Sequence, residues 1–291
     1  MTFIKRALEV DFQLATGSFG QDLGDTVTVR GLRTSADIVS YIGVDFQGTL
    51  ALRIEGLPLP IMNQLTTIGL VASERRNNLI RVRASDESGA MSLVYSGQIN
   101  TAFGEFNGAP NVVFSVTAFA AQTAAILPVP AVSFQGAIDC ATILEAFAKV
   151  AGMTFVNNGV SVQLNNPYFA GSTLDKIKKC VEMAHINASI GLDTLTIWPK
   201  TGNVATSTEI IISPDTGMVG YPTFSAQGLG IVSQFNPRIN VGNPITVKSS
   251  LPVACGQWQV YSVYHRLQSE TPNGAWFTQI EASSPYVNSG K

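Results

Sequence analysis

Residues able to do chemistry are few in this chain, and their spacing is unhelpful to chemistry. There are two histidines, His185 and His265, and neither has a metal-binding residue three or four positions after it. Zinc sites of the CxxC or HExxH kind are therefore absent from the sequence. A serine hydrolase could still assemble Ser, His and Asp from distant segments. However, there is no GxSxG elbow, and Gly17-Ser-Phe-Gly20 has the wrong spacing for one. A glycosidase needs two carboxylates, one with a raised pKa. The nearest acidic pairs, Asp22/Asp25 and Asp86/Glu87, lie in Gly- and Ser-flanked stretches that read as turns. Gly228-Leu-Gly230 lacks the rest of a phosphate-binding loop or dinucleotide fingerprint. The residues predict no catalytic group, no metal and no cofactor, and both histidines read as surface or interface residues.

Trp258, Tyr261, Tyr264 and Trp276 offer a different chemistry. Side chains of a strand alternate between faces, so Trp258, Val260, Ser262 and Tyr264 would share one face. Gln257, Gln259, Tyr261, Val263 and His265 would share the other. An aromatic face can stack on sugar rings, but strand aromatics also fill cores.

These aromatics sit on the clearest local element, a long hairpin from Gly256 to Ala282. Its turn is Ser269-Glu-Thr-Pro-Asn-Gly274, where Pro272 presets φ and Asn273-Gly274 tolerates positive φ. Upstream, residues 2–127 read as mostly β. Asp25–Arg30, Thr49–Glu55, Leu79–Ala84, Ser92–Tyr95 and Asn111–Thr117 are predicted strands, with Ser35–Tyr41 and Pro60–Leu65 as short helical interruptions. Leu127-Pro-Val-Pro130 punctuates the chain, and the apolar period then becomes helical. Ile138, Ala141, Leu144, Phe147, Ala148 and Ala151 mark one helix, ending near Gly152. A hairpin is expected around Asn157-Asn-Gly159. A second helix begins at Ser172, with Asp175 in capping-box spacing. Its buried stripe would be Leu174, Ile177, Val181, Ala184 and Ala188, with Lys176, Lys178 and Lys179 facing away. With Val132–Phe134 first and Thr194–Trp198 last, this unit reads β-α-β-β-α-β. After residue 203 the chain returns to β through Glu209–Ser213, Gly230–Ser233, Ile245–Lys248 and the hairpin.

Composition bounds the setting. Of 291 residues 45% are hydrophobic and only 13% charged, about half the usual charged share. Such a surface suits either a protein covered by partners or an extracellular β protein with an uncharged polar exterior. A net charge of −2 gives no basic excess for nucleic acid, and Arg75-Arg76 with Arg81-Val-Arg83 reads as a solvated loop and strand face. Three widely spaced cysteines, Cys140, Cys180 and Cys255, fit a reducing site of synthesis rather than a disulfide framework. Lys5, Arg6, Glu9 and Asp11 interrupt any signal-peptide core, and Pro128 and Pro130 break the most apolar stretch. A soluble protein without stable membrane binding is expected, kept where it is made until the producing cell lyses.

Two sets of segments resemble a known family. Leu50-Ala-Leu-Arg-Ile-Glu-Gly-Leu-Pro-Leu-Pro-Ile-Met-Asn-Gln-Leu65 is similar to the strand, "GL" corner and "MNQL" turn of baseplate hub proteins of contractile-tailed bacteriophages and related injection machines. Gly217–Pro222, Phe235-Asn-Pro, Val241-Gly-Asn-Pro-Ile, Ser249-Ser-Leu and Pro272–Thr278 resemble the same proteins. The resemblance implies an α+β, mainly β chain: a tube-like β-barrel over 1–127, an α/β insertion over 128–202 and a second barrel over 203–291. It implies a non-enzymatic homotrimer in a virion tail baseplate, assembled in the host bacterial cytoplasm. As a pseudo-sixfold ring it would join the tail tube, or a tube initiator, to the central spike. Baseplate wedge proteins and the tape measure protein would be further partners, with DNA present only in transit. Met62, Asn63, Trp258, Tyr264 and Trp276 become structural or interface candidates. A tail-associated cell-wall hydrolase and a carbohydrate-binding adhesin are the alternatives.

Overall fold

Alternation of apolar residues shapes the first part of the chain. A computed structural model describes residues 6–20, 24–43, 46–67, 77–86, 88–205 and 208–284. Strands β1 (Leu8–Gln13), β2 (Thr26–Arg30), β3 (Arg33–Tyr41) and β4 (Thr49–Glu55) come first. Helix α1 (Leu59–Leu65) follows, then β5 (Leu79–Ser85), β6 (Met91–Glu105), β7 (Val113–Phe119) and α2 (Gln122–Ile126). Leu50, Leu52 and Ile54 point into a core and Ala51 and Arg53 point out, as the sequence predicts. The expected helix at Ser35–Tyr41 is instead β3. Thr34, Ala36 and Ile38 are buried at period two, and β3 is hydrogen-bonded to a strand on each edge. Two occupied edges outweigh the weak helical preference of a seven-residue window.

The middle of the chain is an α/β unit. It contains β8 (Val132–Ser133), β9 (Ala137–Asp139), α3 (Cys140–Val150), β10 (Thr154–Asn157), β11 (Gln163–Asn165) and β12 (Tyr168–Phe169). Helix α4 (Thr173–Met183), β13 (Ile186–Gly191) and β14 (Thr194–Pro199) complete it. Asp139 caps α3 by accepting from the Ala141 N–H, and Ser172 with Asp175 forms a full capping box on α4. The expected hairpin at Asn157-Asn-Gly159 does not form. Asn157 Oδ1 accepts the Val160 N–H at 2.7 Å, which turns the chain, but β10 then pairs in parallel with β14 and β11 pairs with β9. The order within the three-stranded sheet is β10-β14-β13, while β8 and β9 pair separately with β12 and β11, so the simple β-α-β-β-α-β pattern does not hold. Ala188 belongs to β13 rather than to the stripe of α4.

Lys176 also departs from expectation. It does not face solvent but is buried on α4, with its ammonium donating to the Pro130 carbonyl and lying 6.0 Å from the Phe147 ring centroid. A carbonyl and an aromatic face make a buried cation tolerable where solvent is absent. The contact ties the proline-punctuated segment to the second helix.

The last part comprises β15 (Ile210–Ile212), β16 (Thr223–Ser225), β17 (Gly228–Gln234), β18 (Pro244–Val247), β19 (Gly256–Ser269) and β20 (Trp276–Ser283). Neighbours run β16-β17-β20-β19-β3-β4-β7-β6-β5-β1-β2, with β18 on β19 and β15 on β18. The protein is thus mainly β, and one sheet runs through both β regions. Their joint is β19: Gly256–Gln259 faces β18, whereas Ser262–Ser269 pairs on the same edge with β3. A bulge between Val260 and Ser262 marks the change, and Ile42 N–H donates to the Tyr261 carbonyl there at 3.0 Å. In the hairpin turn, Gly274 N–H reaches the Thr271 carbonyl and Asn273 takes a φ of 55°. Gly228 lies so close to the Ala282 carbonyl that any Cβ would collide with it.

Three hydrophobic cores result. The first gathers β1–β7, the second the α/β unit, and the third β15 and β17–β20. The hairpin enters two of them: Val260, Val263, Ile280 and Ala282 fill the third core, and Leu267 and Trp276 fill the first. His265 lies between these positions. It is buried, not on the surface, with Nδ1 3.0 Å from Thr278 Oγ1 and its ring edge-on to Phe235.

Two consequences can be measured by urea unfolding. Leu267→Ala is expected to lower stability by about 2–5 kcal/mol, whereas Arg266→Ala, at an exposed neighbouring position, should stay within about 0.5 kcal/mol. Burial lowers the pKa of His265 from 6.5 to about 4. Between those values the unfolded chain holds the proton and the folded chain does not. This contribution is therefore complete above about pH 6.5 and declines as pH falls toward 4. It amounts to about 3 kcal/mol, and His265→Gln is expected to remove that part of the pH dependence.

Candidate functional site

The bulge at Tyr261 decides where the aromatic candidates go. An extra residue in one strand reverses the side-chain alternation beyond it. Trp258 and Val260 lie toward the third core, and past the bulge Val263, His265 and Leu267 take over the inward positions. Tyr264 consequently points to the opposite face from Trp258. It donates its hydroxyl to Asp37 Oδ1 on β3, and burial together with that carboxylate pushes its pKa up to about 12. Trp258 is half-buried and donates Nε1–H to the Ala254 carbonyl at 2.9 Å. Trp276 is buried against Phe235 with centroids 5.8 Å apart. The predicted shared face of Trp258 and Tyr264 does not exist, and the three rings form no common platform.

Met62 and Asn63 are adjacent on α1 but differ in role. Met62 is buried in the first core while Asn63 is exposed. Pro58 precedes the helix and Pro60 occupies its first turn, where a missing N–H costs nothing. The Thr66 hydroxyl closes the other end on the Met62 carbonyl.

The ionisable groups are held in states that suit structure. Asp25 has its pKa lowered by hydrogen bonds from Gln13 and Thr26, and Asp86 has its pKa lowered mainly by the Ser88 hydroxyl. Both shifts run opposite to what a general acid requires. Their sequence neighbours Asp22 and Glu87, like Arg75 and Arg76, lie outside the described residues. Cys140 and Cys180 are buried, and burial raises both thiols, Cys180 to about 12. They pack as small apolar groups. Cys255 is exposed, and its thiol donates to the Ser249 carbonyl at 3.1 Å. His185 is exposed at the end of α4. Among the described residues no cluster of three metal-ligating side chains occurs, and no helix is long and apolar enough to cross a membrane.

Charge on the first β region is organised across strands. Arg83 meets Asp11 at 2.6 Å, Arg30 meets Glu9 at 3.2 Å, and Arg53 meets Glu105 at 3.3 Å. Arg30 and Arg83 therefore face carboxylates on the neighbouring strand β1, and Arg53 of β4 reaches across β7 to Glu105 of β6. Exposed rings stand at the edge strand β16: Tyr221, just before it, is 70% exposed and Phe224, within it, 56%. Val253, Tyr168 and Phe106 are further exposed apolar side chains. What the surface offers, then, is exposed rings and open sheet edges.

A tail protein from Neisseria meningitidis MC58 superposes with a TM-score of 0.67 at 9% identity, over 96% of both chains. The 43 kDa tail protein of prophage MuSo2 from Shewanella oneidensis gives 0.62 at 8% identity, over 96% of this chain and 98% of that one. An E. coli component of the type VI secretion system, itself described as similar to T4 tail proteins gp27 and gp5, gives 0.58 at 8% identity over 87% and 74%. At these identities the likeness is one of fold. No curated protein sequence matches the chain. The profile of the baseplate hub gp41 family matches residues 62–279, which run from α1 through the α/β unit to the hairpin. The chain belongs to the baseplate hub gp41 family.

Proposed function

We propose that the protein is a non-enzymatic hub of a phage tail baseplate, working as a homotrimer. In this reading residues 1–127 and 203–291 are two tube-like β units, and residues 128–202 are an inserted α/β unit facing the surrounding baseplate wedge. Three copies contribute six β units to a ring, which reconciles a sixfold tail tube or tube initiator with a threefold central spike. Heterologous contacts that close after a fixed rotation build such a ring. The channel at its centre passes DNA during ejection, with the tape measure protein as a further neighbour. Its place is the virion tail, after assembly in the host cytoplasm, with no stable membrane binding.

The observation that carries this reading is the family match, which runs through all three regions rather than through one. The continuity of the sheet across β3 and β19 supports it, because a ring under load needs its two β units to move as one body. The exposed rings beside β16 suit burial against partners. Cross-strand neutralisation of Arg30, Arg53 and Arg83 suits a channel through which a polyanion must slide without being held. Solved relatives of the same fold include Francisella PdpA-VgrG complexes, with a TM-score of 0.57 for the half-lidded form, which supports a spike-like partner. Asn63 is the exposed interface candidate. Trp258 and Tyr264 lie half-buried at opposite faces of one strand, while Met62 and Trp276 hold the first core from within.

The hydrolase and adhesin readings find less support, since Asp25 and Asp86 have lowered pKa values and the aromatics diverge. Mass photometry with negative-stain imaging of the purified chain, alone and mixed with its spike, tests the hub. The expected result is a particle of three chains with threefold views and an open centre. A monomer that persists in the presence of the spike would overturn it.

A further inference from the structure

The two β regions share one strand order. In the first it is β3-β4-β7-β6-β5, and in the second β16-β17-β20-β19-β18. Both carry a bulge at the same point. In β6 it falls between Ile99 and Thr101, just past Gln98, where pairing with β5 ends. In β19 it falls between Val260 and Ser262, just past Gln259, where pairing with β18 ends. The rows of paired residues match as well. Ile38-Leu50-Ala118-Ile99 runs across the first region as Phe224-Leu229-Ala282-Val260 runs across the second. By position, β16 is the counterpart of β3, and β6 is the counterpart of β19.

One pair of these counterparts is already joined within the chain. Past its bulge, β19 turns the edge that β18 has left toward β3, with His265 opposite Ile38. The same edge of β6 is reached past its own bulge. There Thr67 donates its N–H to the Ala102 carbonyl and accepts the Ala102 N–H on its hydroxyl. Gly104, two residues on, directs its N–H and C=O to the same side. No strand among the described residues pairs with it there, since β5 ends at Gln98. At the end of the sheet, the two-residue turn Ala226-Gln227 directs the backbone groups of Ser225 and Thr223 toward β17. Those of Phe224 point away, to an edge that no described strand occupies.

The two open edges suit each other. Gly104 stands as far past the bulged Asn100 as His265 does past Tyr261, and Phe224 holds the place of Ile38. The register of the β3–β19 joint therefore sets Phe224 opposite Gly104, the two residues whose backbone groups are open. Phe224 is exposed although it shares a face with buried Leu229, and the Phe106 ring occupies the space where Gly104 would carry a Cβ. Opposed in this way, the two rings meet. No charged residue guards either edge, as none occurs from Phe106 to Ile138 or from Thr216 to Pro237. Uncharged open edges are the ones that pair with another chain.

We propose that β16 of one copy pairs antiparallel with Phe103–Glu105 of β6 in the next, repeating between chains the joint that β3 and β19 make within one. The proposal rests on the homotrimer reading and names the strands at its interface. Each copy offers both edges, so the contact is heterologous and three copies close a ring.

The test uses the full chain with Cys255→Ser, which leaves only the buried thiols of Cys140 and Cys180. In the proposed register Phe103 faces Ser225 as a pair without mutual hydrogen bonds. Such pairs stand about 4.5 Å apart at Cα, within disulfide reach. Phe103→Cys combined with Ser225→Cys is expected to give covalent dimers and trimers on a non-reducing gel after treatment with oxidised glutathione. Each new disulfide reduces one glutathione disulfide to two glutathione thiols. Phe103→Cys combined with Thr223→Cys, two residues out of register, should cross-link at least about tenfold more slowly. Phe224→Lys is expected to turn the parent trimer into monomers by mass photometry. An unchanged far-ultraviolet dichroism spectrum shows that this variant has folded. A parent trimer that gives no cross-link between positions 103 and 225, or that survives Phe224→Lys, overturns the pairing and leaves the hub reading standing. A parent chain that stays monomeric with its spike present overturns both.

Discussion

One strand with both edges occupied sets the terms for the rest of the molecule. On one edge β19 is bound to β20; on the other it is bound first to β18 and then, past the bulge, to β3. Because side chains alternate with period two, a slip of one residue in that register would expose Val263 and Leu267 and bury Arg266. The bulge is what lets one strand serve two cores whose inward directions differ. Removing it would satisfy either Val260 or Leu267, but not both. Hydrogen bonding sets the register, and hydrophobic burial on both sides makes that register costly to change.

The low charge content takes on a structural meaning in this setting. Many charged side chains of the first β region stand opposite a partner of the other sign on an adjacent strand, as Arg33 does with Glu55 and Arg83 with Asp11. Exposed pairs of this kind add little stability. Between β3 and β4 they also disfavour a wrong pairing, because a slip of two residues would place Arg33 opposite Arg53. Elsewhere the surface depends on hydroxyls, amides and exposed rings, a finish suited to a protein whose exterior becomes an interior on assembly.

Much of this was legible in the sequence wherever the physics is local. Leu50, Leu52 and Ile54 announce β4 by alternation, Ser172 and Asp175 announce the start of α4, and Thr271–Gly274 announces the hairpin turn. The sequence misleads where distant partners decide. Ser35–Tyr41 becomes a strand because β4 and β19 both claim it. Asn157-Asn-Gly159 turns the chain without making a hairpin, since the partner of β10 is a strand some forty residues later. Lys176 counts as polar in any pattern, yet a carbonyl and a ring receive it inside. The bulge at Tyr261 has no signature in residue types, and so the shared aromatic face was unreadable as an illusion until the register was known.

The pairing of Thr34–Tyr41 with Ser262–Ser269 joins segments more than two hundred residues apart. During synthesis β3 leaves the ribosome early, and its second partner is translated long afterwards. Throughout that interval the strand presents an open edge with alternating apolar side chains, the form most prone to pairing with a neighbouring nascent chain. Chains of such high contact order close slowly once released. The seam that joins the two β regions therefore forms only after β19 is translated, and the yield of correctly folded chains depends on shielding β3 until the hairpin arrives.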